Sequence, residues 1–99
     1  MRNICPNFIL VLHNTYRKTG FFNVSVDFER YFGFDGSDID IYIGNTDSHF
    51  IGKINRTANK NKTPRIMGKV PLKRWFVTLD MMAKIKVTII NNNSIRLDI

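Results

Sequence analysis

The stretch DIDIYI, residues 38–43, decides the fold class, because aspartate or tyrosine alternates with isoleucine along it. Alternation with a period of two predicts a β-strand with one buried face, on which the three isoleucines lie. Gly44–Ser48 has the composition of a hairpin connection. His49–Arg56 then predicts the returning strand, with Phe50 and Ile54 directed inward.

The segment around the end of this hairpin, KINRTANKNKTPRIMGKVPLKR (residues 53–74), carries eight of the fifteen basic residues and no acid. Such a concentration of positive charge is self-repulsive, and an anionic partner is the usual reason for it. Residues 59–63 contain only polar and cationic side chains. We therefore predict a basic loop between apolar segments, with an ordinary solvated surface as the alternative.

Length and composition predict one domain over residues 1–99, with a single modest core. The net charge is +7, which favours nucleic acid over an anionic membrane surface or an acidic protein as the partner. The chain ends at Ile99, where a strand-like segment ends. This end would suit a domain excised from a longer protein.

The single cysteine, Cys5, excludes an internal disulfide and suits a reducing compartment. The apolar run at residues 8–12 is too short to span a bilayer and lacks the features of a signal peptide. We expect no membrane association. The expected location is the cytoplasm of a prokaryote, or the nucleus if the source is eukaryotic.

The first third of the chain predicts two strands and a helix. Phe8–His13 is a continuous apolar run typical of a strand buried on both faces, and Phe21–Val24 is also extended. Between them, residues 14–20 form a polar turn with two cations. Ser25 is a good helix N-cap, and the stripe of Phe28, Tyr31 and Phe32 predicts a helix of about two turns.

The last third predicts three more strands and a second helix. Arg65–Lys69 is a short strand, and Pro71 suits the first position of a helix whose apolar face runs from Leu72 to Leu79. Isoleucine and valine alternate with lysine and threonine at residues 84–89, and Ser94–Ile99 closes the chain after an asparagine turn at 91–93. The sum is a mainly β (α+β) fold, a small seven-stranded open or pseudo β-barrel with two short helices.

Catalytic chemistry is not predicted from these residues. Two histidines and one cysteine give no zinc-ligand spacing, and no Gly-rich phosphate loop is present. Asp38 and Asp40, with Lys53 downstream, loosely match a nuclease metal site, but their alternation with isoleucine favours a solvent-facing strand surface. We predict no catalytic residue, no metal ligand and no cofactor, and hence no enzyme in this domain alone.

The order of these elements resembles the B3-like DNA-binding pseudobarrels, which include plant B3 domains and the effector domains of EcoRII- and BfiI-type restriction enzymes. The resemblance covers nearly the whole chain and is most specific at residues 69–89, where Trp75-Phe76 and Leu79 precede Ile85-Lys86-Val87. Plant members usually have Gly-Asp where this chain has Ala83-Lys84. That difference favours the prokaryotic branch of the family.

The resemblance implies two arms that grip the DNA major groove, which we expect to converge at one end of the barrel. The implied DNA-binding residues fall in two groups: Tyr16, Arg17, Lys18 and Thr19 in the first arm, and Asn55, Arg56, Asn59, Lys60, Asn61, Lys62, Thr63 and Arg65 in the second. Arginine and asparagine can bond base edges, so we assign that role to Arg17, Arg56, Asn59 and Asn61. Phosphate contacts fall to Lys18, Lys60, Lys62 and Thr63.

The leading hypothesis is sequence-specific binding of double-stranded DNA, as the recognition module of a restriction enzyme with a fused or partner nuclease domain, or as a regulator. The oligomeric state is left open. One alternative is an RNA-binding barrel, for which Tyr16 and Tyr42 are the candidate stacking residues. Another is a basic domain that docks on an acidic protein.

Overall fold

The computed structural model describes residues 5–99, which form one seven-stranded mixed sheet curled into a half-barrel. Along the sheet the strand order is β1-β6-β7-β3-β4-β5-β2. Adjacent strands are antiparallel except β3 and β7, which are parallel. The strand bounds are β1 Asn7–Val11, β2 Phe21–Asn23, β3 Asp38–Ile43, β4 His49–Asn55, β5 Arg65–Met67, β6 Lys84–Asn91 and β7 Ser94–Asp98. The predicted fold class is confirmed.

Three short helical segments connect the strands. They are α1 (Asn14–Thr19), a 3₁₀ helix (Val26–Tyr31) and α2 (Lys69–Phe76). No helix in residues 5–99 is long and apolar enough to cross a membrane.

The core follows the alternation in the sequence. Ile39 and Ile41 of β3 are fully buried, while Asp38 and Asp40 lie on the outer face of the sheet. On β6 the residues at 85, 87 and 89 are buried in the same way. Leu72 and Phe76 of α2 complete this core, and Trp75 and Leu79 pack against it. The predicted hairpin is therefore confirmed, and so is the apolar face of the second helix from Leu72 to Phe76; Leu79 packs against the core from beyond the end of α2.

The polar turn predicted at residues 14–20 is wrong, because this segment forms α1. The helix ends at Gly20, which has a φ of +77° and donates its backbone N–H to the Tyr16 carbonyl at 2.9 Å. A left-handed glycine is a common helix stop. Six residues make only a marginal helix alone, so packing against α2 must stabilise α1.

The first predicted helix is a 3₁₀ helix in the structure. Its terminal bonds span three residues, from Phe28 N to the Ser25 carbonyl and from Phe32 N to the Glu29 carbonyl. The Ser25 side chain forms no capping hydrogen bond. The tighter geometry places Phe28 over Phe8, with ring centroids 4.9 Å apart.

Two other predicted features differ from the structure. The first strand is not buried on both faces, because Leu10 is buried but Ile9, on the opposite face of β1, is 56% exposed. Helix α2 begins at Lys69, two residues before Pro71. Proline is tolerated anywhere in a first helical turn, since those N–H groups have no partner within the helix.

Replacing Gly20 with alanine should destabilise the fold by about 3 kcal/mol. A Cβ there would collide with the Lys69 carbonyl oxygen, on a backbone that already has a positive φ. Gly36→Ala is the matched control, because Gly36 has a φ of +82° but no heavy atom within 4 Å of its Cβ position. That control should cost only about 1 kcal/mol. Urea unfolding measures both, and equal losses would contradict the close approach.

Candidate nucleic-acid interface

The two candidate arms are α1 and the connection between β4 and β5, residues 56–64, called here the basic loop. They flank the pairing of β2 with β5, in which Phe21 lies opposite Met67 and Asn23 opposite Arg65. Because α1 leads into Phe21 and the basic loop leads into Arg65, the arms attach at opposite ends of this pair. Attachment at opposite ends of so short a pair does not test the expected convergence of the arms, which stays a prediction.

The distance between the two arms is nevertheless short. A three-residue strand spans about 7 Å between its first and last Cα atoms. Helix α1 also folds back along β2, so the Tyr16 hydroxyl accepts a hydrogen bond from the Asn23 backbone N–H at 3.4 Å. The arms are thus two sides of one small surface.

Arg56 anchors the start of the basic loop through hydrogen bonds to the protein backbone. Its guanidinium donates to the backbone carbonyls of Glu29, Phe32 and Gly33, each at 2.9 Å. It also forms an ion pair with the Glu29 carboxylate at 2.9 Å, and only 19% of the side chain is exposed. Arg56 therefore connects the loop to the 3₁₀ helix, and its hydrogen-bonding groups are engaged within the protein.

Two asparagines shape the loop through turns of their own. Asn55 Oδ1 accepts hydrogen bonds from the N–H groups of Thr57 at 2.8 Å and Ala58 at 3.0 Å. Asn61 Oδ1 accepts from the Thr63 N–H at 3.2 Å and from its hydroxyl at 2.7 Å. Such side-chain turns are a preferred role of asparagine. Thr63 is only 5% exposed, so it supports the loop from the protein interior and is not placed to contact a phosphate.

Asn23, which the sequence analysis did not single out, lies at the centre of the surface. Its Oδ1 accepts hydrogen bonds from Arg65 Nε at 3.0 Å and from Asn59 Nδ2 at 3.1 Å. The Arg65 guanidinium also lies 4.1 Å from the Phe21 ring centroid, a cation–π arrangement. No local pattern marks Asn23, because its side-chain partners lie 36 and 42 residues away.

The first arm presents fewer free groups than its sequence indicates. Arg17 donates from Nε to the Leu79 carbonyl at 3.2 Å and from a terminal nitrogen to the Val77 carbonyl at 3.1 Å. It thereby stabilises the carbonyls that follow α2. Tyr16 is half-buried, with its ring against Phe21. Lys18 and Thr19 are exposed.

Acids from elsewhere in the chain neutralise part of the basic segment 53–74. Lys53 forms an ion pair with Asp38, and the hydrogen bond and charge of Lys53 lower the pKa of Asp38 from its usual value. Arg56 pairs with Glu29. Within residues 5–99, the cations of this segment that have no carboxylate partner are Lys60, Lys62, Arg65, Lys69, Lys73 and Arg74.

The basic loop has a concave surface on each side. A cleft of about 720 Å³ separates it from the 3₁₀ helix and contains Glu29 and Asp35. A groove of about 400 Å³ lies on the other side, lined by Asn23, Asn59, Lys60, Asn61 and Thr63. This second side contains no acid, so it is the more suitable one for an anionic ligand.

The aspartates considered for a metal site lie away from the arms, on the outer face of β3. Asp38 is paired with Lys53, and Asp40 lies 3.6 Å from His49. Among residues 5–99 no group of three or more histidine, cysteine or acidic side chains is placed to hold a metal ion.

No protein-family model matches the sequence, and neither does any curated protein. Among solved structures, the chain is similar to the N-terminal domain of Helicobacter pylori LlaJI.R1, with a TM-score of 0.70 and 10% sequence identity. The match covers 93% of this chain and 78% of that one. At this identity the likeness shows a shared fold.

Arg56→Lys should lower the free energy of unfolding by about 3 kcal/mol, although the charge is retained. A lysine ammonium cannot reproduce the hydrogen bonds that the guanidinium makes to three carbonyls and the Glu29 carboxylate. Lys60→Ala, in the same loop, should change stability by less than about 0.5 kcal/mol. Chemical denaturation compares the two, and a wild-type midpoint for Arg56→Lys would refute the anchoring role.

Proposed function

We propose that the chain is a B3-like domain that binds double-stranded DNA between α1 and the basic loop. One observation carries this proposal: Lys60 lines an acid-free groove, Arg65 bonds Asn23 in the same groove, and Arg56, Asn55 and Asn61 hold the loop beside it. A rigid loop keeps the cost of ordering low when a ligand binds. The fold that the chain shares with the N-terminal domain of LlaJI.R1 is consistent with the B3-like assignment.

Phosphate contacts fall to the lysines with exposed side chains. Lys60 and Lys62 extend from the basic loop, and Lys18 lies on α1. Lys62 has a φ of +62°, a left-handed conformation that costs a lysine about 1 kcal/mol.

Base recognition falls to Arg65 rather than to Arg17 or Arg56. Arg65 uses Nε to bond Asn23, and its two terminal nitrogens have no partner among residues 5–99. The guanidinium edge formed by these two nitrogens can donate to both acceptors of guanine in the major groove, O6 and N7. Arg17 and Arg56, to which the sequence analysis assigned base contacts, have positioning roles in this proposal because protein carbonyls occupy them.

The domain supplies recognition and no chemistry of its own in this proposal. A nuclease would be fused to it or act as its partner in a restriction system, whereas a regulator would need none. The RNA alternative requires free aromatic faces for stacking. The Tyr16 ring packs against Phe21, and the Tyr42 ring contacts His49 and Arg96. These contacts occupy the two candidate stacking residues and disfavour the RNA-binding alternative.

The double variant Lys60→Ala/Lys62→Ala should weaken binding to every duplex roughly tenfold or more at about 0.1 M salt. Losing two phosphate contacts should also reduce the slope of log affinity against log salt by about two. Lys84→Ala/Lys86→Ala removes the same charge from exposed positions on β6 and serves as the control. Fluorescence anisotropy with a random duplex pool measures both variants.

Equal affinity for wild type and Lys60→Ala/Lys62→Ala would refute the proposal. Equal losses of duplex affinity in the two double variants would show that net charge alone accounts for binding. Tighter binding of single-stranded RNA than of duplex DNA at equal salt would favour the RNA alternative. Protein binding that survives nuclease digestion, without duplex binding, would favour the protein-docking alternative.

A further inference from the structure

Two side-chain amides in the acid-free groove are held in fixed orientations. Asn23 must direct Oδ1 toward Arg65 Nε, 3.0 Å away, because that nitrogen can only donate. Asn59 must direct Nδ2 toward the Thr63 carbonyl, 3.2 Å away, because that oxygen can only accept. The 3.1 Å hydrogen bond from Asn59 Nδ2 to Asn23 Oδ1 agrees with both orientations.

These bonds leave one polar atom unused on each amide. Asn23 Nδ2 and Asn59 Oδ1 have no hydrogen-bond partner among residues 5–99. Within that range every buried side-chain nitrogen or oxygen has a partner, so these two atoms must reach solvent. Both residues line the groove of about 400 Å³. Two hydrogen-bonded amides that line the groove therefore carry one solvent-accessible N–H donor and one solvent-accessible carbonyl acceptor.

Adenine is the base whose major-groove edge complements this arrangement. It offers N7 as an acceptor and the N6 amino group as a donor, and a single asparagine commonly bonds both. Guanine offers two acceptors, so its O6 would face the Asn59 carbonyl and be repelled. Thymine offers no donor there, and cytosine offers only a donor.

We propose that Asn23 and Asn59 together read one adenine in the major groove, with Asn23 Nδ2 donating to N7 and Asn59 Oδ1 accepting from N6. This inference rests on the proposed DNA-binding function and adds Asn23, which lies outside both arms, to the base-reading residues. Asn61 differs from the pair because its Oδ1 is occupied by Thr63. It shapes the loop and does not bond adenine through both groups.

The test starts from a duplex selected by the wild-type protein from a random pool. Each adenine is replaced in turn by 7-deazaadenine, which lacks the N7 acceptor, or by purine, which lacks the N6 amino group. At one adenine, each replacement should weaken wild-type binding by about threefold to tenfold, the value of a single hydrogen bond. The other adenines should not respond to both replacements.

Asn23→Asp tests the protein side of the same contact. The aspartate keeps an oxygen for Arg65 and Asn59 but replaces the outward N–H donor with an acceptor. This variant should bind the selected duplex at least about tenfold more weakly, and 7-deazaadenine should no longer weaken it further. Asn61→Asp makes the same charge change in the same groove, keeps its bonds to Thr63, and should retain the wild-type response to 7-deazaadenine.

The outcomes separate this inference from the proposed function. If a site is selected but no adenine responds to both analogues, the adenine contact is refuted and DNA binding stands. The same holds if Asn23→Asp retains the response to 7-deazaadenine. If Asn23→Asp does not fold, the analogue scan with the wild-type protein still decides. If no site is selected and affinity only falls with salt, specific binding and the adenine contact both fail.

Discussion

The pairing of β2 with β5 is the constraint on which the candidate interface depends. Only three residue pairs form it, and backbone hydrogen bonds extend it from Val24 N to Pro64 and from Gly68 N to Gly20. Those flanking bonds join the ends of α1 and the basic loop to the same pair. The opposition of Asn23 and Arg65 then brings the first arm, the loop and the sheet into one hydrogen-bonded network.

The basic residues around this pair divide into two groups by chemistry. Arg17 and Arg56 bond backbone carbonyls that would otherwise lack donors, which the planar guanidinium fork does well. Lysines at 18, 60 and 62 remain exposed, as suits strongly hydrated point charges. The two arginines thus stabilise the arms through hydrogen bonds within the protein. The exposed lysines supply the positive electrostatic potential that would attract an anionic partner. Arg65 combines the two roles, since it bonds Asn23 through one nitrogen only.

Elements set by local alternation were predictable from the sequence. The β3–β4 hairpin and the apolar face of β6 follow from alternating residues in the sequence, and both agree with the structure. Features that depend on distant partners were not predictable. Helix α1 requires support from α2, and the Ile9 face of β1 stays exposed because no other element within residues 5–99 covers it.

In the candidate site, too, local sequence features were predictable and contacts between distant residues were not. The basic loop was predictable from composition, because its segment contains no acid. The two carboxylates that pair with cations of this segment, Glu29 and Asp38, come from earlier in the chain, so composition could not predict these ion pairs. The engagement of Arg17 by carbonyls about 60 residues away leaves no trace in a sequence pattern. Asn23 was missed for that reason too, because its significance lies in which atoms of its amide are occupied.

The most direct test of duplex binding between α1 and the basic loop is to map the surface of the protein that contacts DNA. Amide chemical shifts of isotope-labelled protein would be followed by NMR during titration with a short duplex at low salt. If DNA binds between α1 and the basic loop, the shifts should concentrate in α1, β2, β5 and the basic loop, on both sides of Asn23. Shifts confined to the outer face of β3, β4 and β7, or the absence of any saturable change, would contradict it.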